Sequence, residues 1–244
     1  MPNGETTPTN GINTYNEKSL HAALKQWYAL PDDQVEIKVD GFIIDLVRGD
    51  LLVEIQTGSF SPLKRKLARL VETHPVRLVY PVPLEKWILT RFPGEMQPPR
   101  RRKSPKRGCA EHVFSQLIYI PQLMLSPNFT LEVLLTREEE VRRPVLKKHA
   151  RSKGWATEER HLLAVIDRVT FQTPDDLLDL LPKGLADPFT VRELAKAMHQ
   201  PERLAQKAVY SLRAMGAVIA AGKKGRAGLY SRCLRRASSS AGTS

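Results

Sequence analysis

Asp45 sits in the stretch FIIDLVR, and Glu54 and Gln56 follow in LLVEIQTGSF, so two carboxylates and an amide are planted in hydrophobic segments. Side chains alternate faces along a strand, which puts Glu54 and Gln56 on one face and Val53 and Ile55 on the other. Asp40-Gly41 is the strongest short hairpin signal, and Gly49-Asp50 makes a second two-residue turn. With both turns two residues long, Glu36 stands opposite Asp45 and Asp45 opposite Glu54, a row of acids across three strands. Like charges directly opposed on a sheet repel by a fraction of ~1 kcal/mol per pair, so the row calls for a cation. Lys38, one step from Glu36 on the same face, is one candidate. A hard metal ion is another, because carboxylate and amide oxygens without His or Cys suit Mg2+ or Mn2+. On a solvated face Lys38 alone would neutralise the row.

The elements around the row must position it. The face opposite the acids, from Val35 and Ile37 through Ile44 and Leu46 to Val53 and Ile55, is the expected core face. A helix over 18–30 buries Leu20, Leu24, Trp27 and Tyr28, and Glu17 continues that stripe, either reaching the sheet or complementing the helix dipole. After Thr57-Gly58-Ser59, Ser61 and Pro62 open a helix that runs to about residue 73 and buries Leu63, Leu67, Leu70 and Val71. Lys64, Arg65, Lys66 and Arg69 make its remaining surface basic, where a phosphate backbone would need neutralising. Further strands are expected over 76–80, 86–90 and 130–135, with a helix over 110–123.

A hydrophobic strand with Asp45, a turn, a strand reading hydrophobic-Glu54-x-Gln56 and a following helix together resemble the core of the PD-(D/E)xK nuclease superfamily, the restriction-endonuclease-like fold. The resemblance covers residues 17–90, and its motif is short. It implies an α/β (α+β) domain, a mixed sheet flanked by helices, in which Asp45 and Glu54 hold Mg2+ or Mn2+ for phosphodiester hydrolysis, with Glu36 beside them in the row. It also implies catalytic roles for Gln56, at the family's usual lysine position, and for Glu17, since some members use an acid from the first helix. The chain departs from the pattern at Gln56. Glutamine orients a water but brings neither positive charge nor a titrating amine. Lys38 or Lys64 would then supply the charge, and an inactive nuclease fold kept for binding is the alternative.

Toward the C-terminus, Thr190 to Glu193 reads as a capping box opening a helix. A second helix near 202–215 buries Leu204, Ala208, Leu212 and Met215, turns Arg203, Gln206, Lys207, Tyr210 and Arg213 outward, and ends at Gly216. Two strands then flank Gly222-Lys223-Lys224-Gly225-Arg226. Helix, turn, helix and a hairpin with a basic tip resemble a winged helix-turn-helix domain. The resemblance implies Arg203, Lys207, Tyr210 and Arg213 toward the major groove and Lys223, Lys224 and Arg226 on phosphate. Residues 201–236 hold nine Lys or Arg and one acid, the asymmetry that phosphate contact needs. Winged helices also serve as protein-interaction modules.

Residues 100–107 carry six cations, Arg100, Arg101, Arg102, Lys103, Lys106 and Arg107, and are expected as an unpacked loop that settles on phosphate. The charged zone 136–184 is expected to be helical, with helices over 157–169 and 174–181. Trp87, Trp155 and Phe129 are expected in the core rather than as base-stacking platforms.

Composition bounds the rest. The 244 residues carry 38 Lys or Arg against 26 Asp or Glu, a net +12 that favours a polyanionic partner. Two cysteines support neither a disulfide framework nor a zinc site, and no HExxH or GxxxxGKS motif is present. No apolar run reaches a membrane span and no signal-peptide pattern opens the chain, so a cytoplasmic, nucleoid-associated protein without a membrane partner is expected. The expected organisation is a disordered leader over 1–16, a nuclease-like domain over 17–135, a charged helical connector over 136–184, a winged helix over 185–236 and a disordered tail over 237–244. The expected partner is DNA, charge alone does not separate DNA from RNA, and a homodimer is compatible with this organisation.

Overall fold

The structure is a computed structural model that describes residues 15–92, 99–145 and 154–233, with side chains from residue 19 onward. It is a mixed α+β fold. Helix α1 (Tyr15–Tyr28) precedes a meander of β1 (Gln34–Val39), β2 (Phe42–Arg48) and β3 (Leu51–Ile55). Asp40 and Gly41 both take positive φ, 48° and 84°, as the two central residues of a type I′ turn must. Gly49, at φ 55°, makes the second tight turn. The registers follow from the turns, with Val39↔Phe42 and Arg48↔Leu51 closing the two hairpins. A single 3-10 turn over Ser61–Leu63 and helix α2 (Lys64–Leu70) then cross to β4 (Val76–Thr90), which lies parallel to β3.

Strand β4 is continuous where the sequence predicts two separate strands. Pro81 and Pro83 interrupt the pattern, but they fall after β3 has ended at Ile55↔Val79 and before β5 (Arg100–Lys103) joins at Trp87↔Lys103. On that side of β4 no ladder asks for their missing N–H groups. The pairing of β5 overturns the expected unpacked loop over 100–103, while 104–107 remain outside helix and strand. Arg101 reaches Glu139 at 2.7 Å and Lys103 reaches Glu85 at 2.6 Å, so acids from distant strands offset the self-repulsion. Both cations also flank the Trp87 ring, 4.2 and 5.7 Å from its centroid, so Trp87 is half-buried under charge rather than in the core.

Pro121 breaks the expected helix over 110–123 into 3-10 turns at Ala110–Val113 and Pro121–Leu125 around a single-turn α3 (Phe114–Leu117). Long strands β6 (Phe129–Pro144) and β7 (Trp155–Phe171) follow, so the expected helix over 157–169 is a strand, and the described residues of the expected helical connector up to Phe171 lie mostly in strands. Three register shifts between β6 and β7 explain the misreading. They leave Glu158, Leu163 and Ile166 as extra residues on β7, and each bulge resets the alternation that identifies a strand. What remains has leucine, valine and isoleucine at helical spacing.

Among the described residues the sheet has seven strands in the order β1-β2-β3-β4-β6-β7, with β5 also on β4. Both faces are covered. Leu20, Leu24 and Tyr28 of α1 pack on Leu46, Val53, Ile55, Val79 and Leu134. On the other face Leu67 and Leu70 of α2 pack on Leu52, Leu78 and Leu131 in a core that includes Phe129. Val35 and Ile37, expected in the core, are 49% and 36% exposed because β1 is an edge strand.

That second core continues into α4 (Pro174–Leu178), β8 (Phe189–Thr190), α5 (Val191–Ala197), α6 (Glu202–Ala214), β9 (Val218–Lys224) and β10 (Ala227–Arg232). The last three strands form a sheet in the order β8-β10-β9. The capping box is present: Glu193 N donates to Thr190 Oγ1 at 3.2 Å and Thr190 N to Glu193 Oε2 at 2.8 Å. Gly216, at φ 75°, ends α6 as its left-handed cap. No helix among the described residues is long and apolar enough to cross a membrane.

Gly108 fixes where the basic segment leaves the sheet. Its N–H donates to Pro83 O at 2.9 Å, and a Cβ there would lie 2.5 Å from that oxygen and 2.9 Å from Val82 Cγ1. Gly108→Ala is therefore expected to destabilise the protein by about 1–3 kcal/mol, measured as a lowered midpoint in urea unfolding.

Candidate functional site

Pairing of β2 with β3 runs from Arg48↔Leu51 to Leu46↔Val53 and stops before Asp45. The Asp45 carboxylate takes over where the ladder ends: its Oδ2 accepts from Ile55 N at 2.8 Å and lies 3.1 Å from Nε2 of His21 on α1. Burial opposes ionisation of Asp45, but the His21 hydrogen bond and the Ile55 N–H together outweigh it and hold the carboxyl below its usual range. His21 responds in kind. The bond to Asp45 raises its pKa above 6.5 although burial pulls the other way.

Glu54 is buried on the α2 side, with its Oε2 2.6 Å from Lys66 Nζ. Lys66 also donates to Ile43 O at 2.5 Å, which fixes the ammonium between β2 and β3. Burial raises the Glu54 pKa, Asp45 raises it further, and Lys66 only partly compensates. Asp45 and Glu54 act on each other electrostatically, but the expected cross-strand pair on one face does not form: the ladder stops at Leu46↔Val53, Asp45 meets His21 of α1 and Glu54 meets Lys66 of α2.

The rest of the predicted row is dispersed. Glu36 takes φ 55°, the β1–β2 ladder skips it, and its exposed carboxylate meets Lys25 at 2.5 Å. Among the described residues no three His, Cys, Asp or Glu side chains gather as a metal cluster, so Glu36 does not join Asp45 and Glu54. Lys38 is exposed on β1, and Lys64 and Arg65 are exposed on α2. Gln56 Nε2 donates to Ser59 O at 2.6 Å, so its amide secures the turn. The Glu17 side chain lies outside the described residues.

The residues that do meet the acids, His21 and Lys66, are absent from the sequence-based set. Each carries a readable signal. His21 shares the helical face of Leu24 and Tyr28, and Lys66 stands three residues from Leu63 and four from Leu70 on the buried stripe of its helix. A polar side chain on an apolar stripe needs a buried partner. Arg160 is a third such residue: it pairs with fully buried Glu138 at 2.8 Å and donates to Thr57 O at 3.3 Å, closing the end of β3.

A second site joins two stretches that the sequence treats separately. Lys106 and Arg107, beyond β5, face Arg203 and Lys207 of α6 across a cleft of about 610 Å3 that also holds His112 and His199. Lys207 is tethered to Ser115 O at 3.4 Å, and His112 Nε2 lies 3.3 Å from Gln200 Oε1. Other predicted contacts are directed elsewhere. Arg213 lies 5.7 Å over the Tyr230 ring, and Lys224 pairs with Glu193 at 2.8 Å. That ammonium, with the Thr190 hydrogen bonds, lowers the Glu193 pKa to about 2. Tyr210, Lys223 and Arg226 are exposed.

Coupling of His21 to Asp45 has a pH signature. A histidine whose folded pKa is raised adds stability that is complete below its unfolded value near 6.5 and is lost as pH rises through the folded value. NMR titration of the His21 ring is expected to show a midpoint above 6.5 that falls in Asp45→Asn. The stability gap between wild type and Asp45→Asn should narrow as pH is raised from about 6 to about 8.5, roughly 2.5 units spanning the histidine range.

A family model described as a domain of unknown function, DUF8091, matches residues 18–172. An uncharacterized protein of Treponema pallidum (strain Nichols) is 30% identical over 224 residues, covering 90% of this chain and 86% of that protein. No solved structure matches.

Proposed function

The chain belongs to the DUF8091 family, and we propose that it is a DNA-binding protein that hydrolyses phosphodiester bonds with a divalent metal ion. One observation carries the reading: the buried Glu54 carboxylate, acted on by Asp45, lies 2.6 Å from the Lys66 ammonium at the point where β2 leaves β3. The surrounding order of helix, three-stranded meander, crossover helix and parallel strand is the one that the PD-(D/E)xK resemblance implies. Its expected lysine is replaced by Gln56, and Lys66 brings an ammonium to the same carboxylate from α2.

Mg2+ typically takes one or two carboxylates and completes its shell with waters and substrate phosphate, and Asp45 and Glu54, whose charges act on each other, would be its protein ligands. Bound there, it would polarise a phosphoryl oxygen and lower the pKa of a bound water. The chain's own residues do the rest. His21 and the Ile55 N–H keep Asp45 anionic and oriented, and Lys66 places positive charge beside the reacting phosphate, where electrostatic stabilisation acts.

DNA binding draws on the basic cleft and on the order α5, α6, β9, β10, which matches the helix-turn-helix and hairpin of a winged helix. Arg203 and Lys207 with Lys106 and Arg107 would hold phosphates, while exposed Tyr210, Lys223 and Arg226 extend the contact. A cytoplasmic protein associated with the nucleoid follows from that partner. Binding without cleavage is the second reading. It is favoured by the closed pairs Asp45–His21 and Glu54–Lys66, which already neutralise both acids.

A nuclease assay with Mg2+ or Mn2+ on single-stranded, duplex and branched DNA, and on RNA, separates them. Asp45→Asn and Glu54→Gln should abolish cleavage, and Lys66→Ala should lower it by about 10²-fold. Cleavage that survives both acid substitutions would remove this site. Tight binding with no cleavage by the wild type would select the second reading. In salt titrations of duplex binding, Arg203→Ala and Lys207→Ala should each reduce the slope of log K against log salt by about one unit.

A further inference from the structure

At the far end of the long strands lies a pocket that neither the acid pair nor the basic cleft uses. Ile88 and Thr90 of β4 form its floor, with Arg100 and Arg102 of β5 on one side and Arg142 of β6 and Trp155 of β7 on the other. Its volume of about 360 Å3 is in the range of small-ligand sites. Register explains how these residues share one face. Ile88 pairs with Arg102, Thr90 with both Arg100 and Arg142, and Pro144 with Trp155. The neighbours Arg101 and Lys103 point to the opposite face, where Glu139 and Glu85 neutralise them. Strand alternation therefore divides the cationic run in two, a paired half and a half turned into the pocket.

The pocket's charge is one-sided. Among the described residues no carboxylate lines it, and Arg100 and Arg102 have no acidic partner. Arg142 is held by Glu140, an acid that Lys86 also neutralises and whose pKa falls to about 2; burial alone would raise it, but the bonds from Arg142, Thr157 and Lys86 prevail. The pocket also presents an aromatic pair: the Phe92 and Trp155 rings meet edge to face at 5.9 Å. Unpaired guanidiniums beside aromatic rings suit a ligand that is both anionic and planar. An acidic peptide would use the charge and leave the rings idle.

We infer that this pocket binds a nucleotide, with its base against Phe92 and Trp155 and its phosphate on Arg100 and Arg102. Such a unit could be free or an unpaired residue in a strand. The site is distinct from the acid pair: Ile88 lies nine residues along β4 from Val79, the partner of Ile55, or about 30 Å. It stands whether or not the protein cleaves DNA.

The test uses the full chain in EDTA, so that cleavage plays no part. A 5-iodouridine strand is photo-crosslinked and the attachment mapped by mass spectrometry, and anisotropy measures affinity for a phosphorylated single strand and for the same strand made abasic. Crosslinking to Phe92 or Trp155 is expected in wild type and in Asp45→Asn alike. Trp155→Leu should weaken the base-bearing strand about tenfold and leave the abasic strand unchanged, while Trp155→Phe retains binding. Arg100→Ala and Arg102→Ala, both at exposed positions, should weaken both strands about fivefold or more. Displacement of the strand by AMP would identify a free nucleotide as the ligand, and failure of AMP to compete would identify a nucleotide within a strand. The inference falls if crosslinks map only elsewhere, if the abasic strand binds as tightly as the normal one, if the arginine variants bind like wild type, or if a glutamate-rich peptide outcompetes the strand.

Discussion

Glu54, Glu132, Glu138 and Glu140 are buried on strands that other elements cover, and a buried carboxylate remains ionised only beside a cation or strong donors. Each draws its partner from a different part of the chain. Lys66 of α2 serves Glu54, and Arg160 of β7 serves Glu138. Tyr28 of α1 donates to Glu132 at 2.6 Å, with Arg77 of β4 at 3.4 Å, while Lys86 and Arg142 serve Glu140. Removing one member of such a pair typically costs about 3–5 kcal/mol, so the pairs fix where α1, α2 and β7 dock.

The same constraint shapes the surface. Many of the acids are committed to internal or strand-to-strand pairs, so the surplus of cations faces outward and is sorted by geometry rather than by sequence. On β5, alternation commits Arg101 and Lys103 and releases Arg100 and Arg102. On the C-terminal side, the fold commits Lys224 to Glu193 and sets Arg203 and Lys207 opposite Lys106 and Arg107. Among the described residues, part of the +12 net charge is thereby gathered at two basic pockets.

The acid pair shows which neighbours turn geometry makes legible and which it does not. Asp45 and Glu54 were readable as near neighbours because two tight turns align the strands that carry them, but the pairing stops at Leu46↔Val53 and leaves the two acids to separate helices. Glu36 was not, because its positive φ takes it out of the ladder, a backbone choice that its residue type does not announce. Lys66 and His21 stand out as polar residues on apolar helical stripes, but which acids they meet depends on other elements. The basic cleft was half legible: each cationic stretch stood out, but only packing of α6 against the turns around α3 brings them together.

By itself the sequence determined what local geometry controls. The Asp40-Gly41 and Gly49-Asp50 turns, the Thr190 capping box, the Gly216 cap and the Leu20, Leu24 and Tyr28 stripe of α1 were all set by residues a few positions apart, where short-range sterics and hydrogen bonds decide, whereas Trp27, expected on that stripe, is exposed. Tertiary structure decided what depends on distant partners. It made β7 a strand because β6 offers a ladder worth more than the helical spacing of its leucines, with bulges at Glu158, Leu163 and Ile166 that no local pattern encodes. It made β5 a strand because Glu85 and Glu139 neutralise the face that would otherwise repel itself. A lone segment cannot contain that information, since the energy that selects its conformation resides in the element it pairs with.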